Sequence, residues 1–166
     1  MNRITTIVML ILGFILVTQF AATGVAESTA YLSKEGKSNY IIYLGENASP
    51  SEVYAAEELQ TCFRECTGIT LPLTRNCFKD FSAIFVGFSS FTTSLGITAD
   101  GAALGEQGYI MRTAGKNLVI AGTPEAGTLY GVYDFLEEYL GVRWYAPGEV
   151  YYPKQDAVPL PQVDKT

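Results

Sequence analysis

The residues of this 166-residue chain that could do chemistry are few, and one absence limits them first: there is no histidine. Ser-His and Cys-His nucleophile pairs and His-metal ligation are therefore excluded from the chain itself. Three cysteines remain, Cys62, Cys66 and Cys77. Without a fourth cysteine or a histidine they do not complete a tetrahedral metal set, so neither a metal nor a cofactor is expected. Cys62 and Cys66 stand one helical turn apart, a poor geometry for pairing with each other. In an exported chain Cys77 can bridge to one of them, and Cys66 is the expected partner; buried free thiols are the alternative.

The carboxylates come as neighbours, Glu57-Glu58 and Glu137-Glu138. Glycoside hydrolysis uses an acidic pair, but adjacent helical residues point about 100° apart and cannot readily flank one bond. They read as solvated or interface charges. The stretch from Gly122 to Thr128 has the outline of a phosphate loop, GxxxxG-T, without the lysine that would reach the phosphate and with Glu125 placed to repel it. A helix cap explains it better. The densest aromatic and cationic cluster is Arg143, Trp144 and Tyr145, followed by Tyr151 and Tyr152. Sugars stack on aromatic faces and hydrogen-bond to arginine, so this cluster is either a carbohydrate subsite or part of the core or a domain interface. No nucleophile-base or metal constellation emerges, so no catalytic residue is assigned.

The elements that must position these residues can be taken in order. Tyr31 to Ser38 is polar and reads as an entry segment. Tyr40 to Leu44 is β-branched and aromatic and stops at Gly45, which predicts a strand. A helix follows with Ser49 as N-cap, Pro50 at N1 and Glu52 completing a capping box; it ends at Gly68. Ala55, Ala56, Leu59, Cys62, Phe63 and Cys66 share its inner side. Ile69 to Leu73 reads as a strand placed by Pro72 at an edge or in an irregular position. Ala83 to Gly87 is a continuous apolar run, the pattern of a strand buried on both faces. Ser89 to Gly105 is a loop with room for one helical turn. Tyr109 to Thr113 and Leu118 to Ala121 form a hairpin through Ala114-Gly115-Lys116-Asn117. A second helix is expected from Thr123 as N-cap and Pro124 at N1 to Gly141, with Leu129, Val132, Tyr133, Leu136 and Leu140 inward.

That second helix carries two glycines, Gly127 and Gly131, each costing about 1 kcal/mol relative to alanine in a helix interior. Close approach of another backbone would account for them. With Phe135 beside them they predict a second contact surface for a partner domain. Val142 to Tyr145 closes the pattern as a strand, with Val150 to Tyr152 as another short one. The order β-α-β-β-β-β-α-β predicts an α+β fold: a mixed or antiparallel sheet with two helices packed on one face.

At the N-terminus, Arg3, the apolar run Ile7 to Val17 and the small residues Gly24-Val25-Ala26 predict a signal peptide over residues 1–26. The domain would then occupy residues 27–153, and the polar, Pro-containing residues 154–166 read as a linker or tail. Loss of Arg3 takes the net charge from −6 to −7. Such a balance, with no basic block, argues against nucleic acid and anionic membrane surfaces as partners. The expected location is secreted or periplasmic, with no membrane association after cleavage.

Three stretches together resemble a known family. Ala55-Ala56-Glu57-Glu58-Leu59 through Thr67-Gly68-Ile69 looks like its first helix and exit. The hairpin from Gly108-Tyr109-Ile110 to Ile120-Ala121-Gly122 is similar to its central pair. Gly127-Thr128-Leu129-Tyr130-Gly131-Val132-Tyr133 with Gly141-Val142-Arg143-Trp144 looks like its second helix and exit strand. The chain resembles the non-catalytic N-terminal domain of family 67 α-glucuronidases and related exported glycoside hydrolases, and the second domain of family 20 β-hexosaminidases has the same layout. The resemblance implies an accessory domain in polysaccharide breakdown, partnered by a catalytic (β/α)₈ barrel in cis or missing from this chain. About 200 residues or more are needed for such a barrel, so its chemistry is assigned to no residue here. The alternative is a free-standing module that binds glycans or a protein.

Overall fold

The computed structural model describes residues 30–76, 82–99 and 104–166. The expected signal peptide and Cys77 fall outside the described residues. The strands are β1 (Tyr31–Lys34), β2 (Tyr40–Leu44), β3 (Leu73–Thr74), β4 (Ser82–Val86), β5 (Tyr109–Ala114), β6 (Asn117–Gly122), β7 (Arg143–Ala146), β8 (Glu149–Tyr151), β9 (Ala157–Pro159) and β10 (Asp164–Lys165). The helices are α1 (Pro50–Thr67), α2 (Ser90–Ser94) and α3 (Gly127–Glu138).

The central sheet has the order β10-β5-β6-β4-β2-β3. Its four strands β3, β2, β4 and β6 run parallel, while β5 pairs antiparallel with β6 and β10 antiparallel with β5. The fold is α+β with a mixed sheet, as the element order predicts. Parallel neighbours need a crossover, and α1 supplies the one between β2 and β3. β3 adds the edge strand to which Pro72 pointed; the Pro72 carbonyl still accepts from the Ile42 amide at 2.8 Å.

Period-two alternation divides the strands between two faces. Tyr40, Ile42, Leu44, Ile84, Val86, Leu118 and Ile120 join α1 and α3 in the main core. Ile41, Tyr43, Ala83, Phe85, Val119 and Ala121 form a second layer with Ile97 on the other face. Residues 83–86 are buried on both faces, as their continuous apolar run predicts.

Helix α1 carries the expected start and stop. Ser49 accepts from the Glu52 amide, the Glu52 side chain accepts from the Ser49 amide, and Gly68 turns the chain in the left-handed region at φ 76°. Helix α3 begins three residues later than its Thr-Pro signal suggests. Thr123-Pro124 instead makes a turn, and the Thr123 hydroxyl accepts from Gly127 N at 3.0 Å. The helix ends at Glu138, short of the expected Gly141; Val142 N is bonded to Leu136 O at 3.0 Å, and Gly141 turns the chain in the left-handed region at φ 70°.

Residues 154–166 are not a linker. β9 pairs with β1, β10 extends the central sheet, and Val158 and Leu160 are buried in the main core. The Leu160 amide donates to Ala30 O at 2.7 Å, and the Thr113 hydroxyl donates to Pro161 O. This segment closes the domain. β7 and β8 form a separate hairpin.

Candidate functional site

In open sheets of this kind ligands bind beyond the carboxyl ends of parallel strands, where helix N-termini converge. That edge follows β2, β4 and β6 at Gly45, Gly87 and Gly122, beside the starts of α1 and α3. A cavity of about 470 Å³ opens there, lined among others by Tyr43, Asn47, Glu52, Arg75, Ser89 and Phe91. Its aromatic wall is Tyr43, edge-on to Phe91 at 5.1 Å and tilted against Phe85 at 5.3 Å.

The polar groups of this edge are committed to holding it together. Glu52 is 7 % exposed. One of its oxygens accepts from Ser49 N at 2.8 Å, and the other lies 3.4 Å from the Thr128 hydroxyl. That hydroxyl also accepts from Gly122 N at 2.9 Å. Ser49 Oγ donates to Pro124 O at 2.5 Å. Glu52 and Ser49 therefore tie the first turn of α1 to the start of α3, and a side chain at Gly87 would overlap the Glu52 carboxylate. The Arg75 guanidinium donates to the carbonyls of Gly45 and Glu46. A capping box makes Glu52 legible in the sequence; nothing in the sequence signals its second contact, across 76 residues.

Four amides of the loop from Gly122 to Thr128 are already taken within the chain. Gly122 N is taken by Thr128 Oγ1, Thr123 N by Gly108 O, Gly127 N by Thr123 Oγ1 and Thr128 N by Thr123 O. A phosphate loop needs such amides free and pointing at the ligand. The stretch is a turn leading into α3 with Thr123 as its pivot; the N-cap position falls on Ala126, not on Thr123.

Gly127, Gly131 and Phe135 do not present a surface to a partner. All three are buried against the chain's own sheet. A Cβ on Gly127 would overlap the Gly108 carbonyl oxygen, and one on Gly131 would lie 2.8 Å from Ile120 Cγ2 and 2.9 Å from the Tyr109 ring. A close backbone is real at Gly127, but it is the chain's own Gly108, just before β5; Gly131 is met by the side chains of Tyr109 and Ile120 from the β5–β6 hairpin. The inward face of α3 is consequently rotated toward Gly131 and Phe135, leaving Leu129 and Tyr133 partly exposed beside it.

The Arg143-Trp144-Tyr145 cluster is split by the pleat of β7. Trp144 turns inward, with its ring edge-on to Tyr133 at 5.0 Å. Arg143 and Tyr145 face outward, and Tyr145 is 73 % exposed. The Arg143 guanidinium donates to Glu137 O and Val142 O, both at 2.8 Å, and so caps the C-terminal end of α3. Burial, with a hydrogen bond donated to Tyr54 and the nearby Glu58, pushes the Tyr133 phenol up. Tyr54, Tyr133 and Trp144 thus connect α1, α3 and the β7–β8 hairpin along the outer side of the helix layer.

Glu57 and Glu137 are exposed, and Glu138 Oε2 lies 3.4 Å from Lys165 Nζ, so neither carboxylate pair flanks a common cleft. Cys62 and Cys66 are buried free thiols; Cys77, the other half of the expected bridge, is outside the described residues. Burial, with Glu58 next, pushes the Cys62 thiol from its ordinary 9.0 up to about 12. Among the described residues no group of His, Cys, Asp or Glu could hold a metal ion.

These features can be set beside known proteins. The model of the glycosyl hydrolase family 67 N-terminus matches residues 23–135, more than half of the chain. A probable α-glucuronidase A of Aspergillus terreus is 34 % identical over 90 residues, covering 53 % of this chain and 11 % of that protein. The solved structure of a family GH115 4-O-methyl-α-glucuronidase with specificity for decorated arabinogalactans superposes with a TM-score of 0.60 at 19 % identity. It covers 76 % of this chain and 17 % of that one, a likeness of fold. This chain spans about a tenth of the curated relative's length. The chain belongs to the glycosyl hydrolase family 67 N-terminal domains.

Proposed function

We propose that this domain is a non-catalytic accessory domain of an exported glycoside hydrolase acting in polysaccharide breakdown, and that it packs against a catalytic (β/α)₈ barrel. The family match over residues 23–135 carries the reading. The exported location rests on the leader-like composition of residues 1–26. The barrel would contact the outer side of the helix layer and the β7–β8 hairpin. Tyr54, Tyr145 and Tyr151 are exposed there by 48, 73 and 53 % around the half-buried Trp144. Aromatic side chains of this kind are enriched at interfaces, where a large apolar body and a polar tip serve both partners.

A free-standing module that binds glycans is the second reading, favoured by the same outward Tyr145 and Tyr151 beside Arg143. The reading frame of the gene beyond Thr166 separates the two. Continuation into a barrel bearing a carboxylate pair supports the accessory domain, and a stop codon supports the module. Release of uronic acid from glucuronoxylan fragments by the purified chain alone would overturn both.

A further inference from the structure

The chain is acidic, with a net charge of −6, yet three of its lysines line one cavity that, among the described residues, has no carboxylate in its lining. This cavity lies at the opposite end of the sheet, where β2 and β4 begin. It measures about 490 Å³, within the range of small-molecule sites, and is lined among others by Tyr31, Lys34, Lys37, Asn39, Ser82 and Lys116.

The backbone pins these lysines in place. Lys34 and Lys37 exchange both amide hydrogen bonds, at 2.9 and 3.0 Å, across a two-residue turn. Its central residues Glu35 and Gly36 have φ of 52° and 72°, the arrangement of a type I′ hairpin. Residues bonded in this way are directly opposite, with side chains on one face, and like charges so placed repel. Lys116 arrives from the β5–β6 turn, whose position is held by the Tyr40 hydroxyl donating to Lys116 O at 2.7 Å. Compensation is slight. Lys34 lies 5.0 Å from the Tyr31 ring centroid and 3.8 Å from Glu35, a pair in which Glu35 is 82 % exposed. Such a pair contributes little in water.

We propose that this cavity is a binding site for an anionic sugar. The lysines receive the charged group, relieving their mutual repulsion. The Tyr31 ring, 37 % exposed, offers apolar surface to the sugar, and the Asn39 amide and the Ser82 hydroxyl oxygen line the cavity as partners for its hydroxyls. This site is independent of the outer aromatic surface and of the proposed barrel contact.

The test is calorimetric titration of the full chain at low salt with four probes: glucuronic acid, glucose 6-phosphate, glucose and inorganic phosphate. Saturable binding of one or both charged sugars, at least about tenfold tighter than glucose and than inorganic phosphate, is expected. Which charged sugar binds tighter distinguishes a carboxylate from a phosphate ester as the preferred group. Affinity falls as salt rises through 0.15 M, since the lysines are exposed. The Lys34→Gln/Lys37→Gln/Lys116→Gln variant loses at least about tenfold while keeping its melting temperature. Equal binding of glucose, or of inorganic phosphate alone, overturns the proposal, as does no binding of either charged sugar. An affinity for the charged sugar unchanged in the triple variant overturns it too.

Discussion

Gly127 shows how closely α3 is fitted to its neighbours. Its missing side chain is what lets the Gly108 carbonyl approach the first turn of the helix. Gly127→Ala should destabilise the domain by about 3 kcal/mol or more, because the obstacle is backbone. Gly131→Ala meets only side-chain atoms of Ile120 and Tyr109 and should cost less, about 1–2 kcal/mol. Urea unfolding of the two variants checks the order. The presence of both glycines is plain in the sequence. What they accommodate is not, because Gly108, Tyr109 and Ile120 lie in a separate stretch whose position is set only by the tertiary fold.

Cys62 gives a pH prediction at the same scale. Burial holds its thiol protonated up to about pH 12, whereas the unfolded chain releases that proton near 9.0. The stability this contributes is present in full below pH 9.0 and is lost as pH rises toward 12. Thermal melts should therefore move to lower temperature above about pH 9. Cys62→Ser should flatten part of that slope while lowering stability at neutral pH. The native protein should also leave Cys62 unmodified by thiol reagents at pH 8, with reaction on addition of denaturant. Rapid labelling of Cys62 in the native state would contradict its buried, protonated state.

Elements differ in how far they can be read from local sequence. Helix α1 is legible because its start and stop are encoded within a few residues, Ser49-Pro50 with Glu52 at one end and Gly68 at the other. The β5–β6 hairpin is legible for the same reason, its turn lying between Ala114 and Asn117. Helix α3 is legible in existence but misleading in start, because Thr123 is the pivot of a turn that precedes the helix. β1, β9 and β10 escape sequence reading altogether. They are only two to four residues long, and β1 meets its partner Pro159 from Tyr31, at the other end of the chain. Their role gives the clearest prediction at this scale. Removing residues 155–166 withdraws Val158 and Leu160 from the core and should cost about 3–6 kcal/mol. A chain ending at Lys154 with an unchanged urea midpoint would restore the linker reading.

For the whole molecule, the fold and the family context are legible because three separated stretches keep their order and spacing. The candidate surfaces are less so. The glycine face turns inward, the Arg143 guanidinium serves a helix end, and the cationic cavity depends on a turn and a hairpin far apart in sequence. What remains outward on the helix layer is tyrosine. Tyr145→Glu with Tyr151→Glu should change the stability of the isolated domain by no more than about 0.5 kcal/mol per site, since both side chains are more than half exposed. The same pair should weaken docking to the barrel. Titrating the purified chain into the separately purified catalytic barrel of an α-glucuronidase, followed by calorimetry, tests the accessory role most directly. The account predicts saturable association that weakens at least about tenfold in the double variant. No association of the unaltered chain, or equal affinity for both forms, would contradict it.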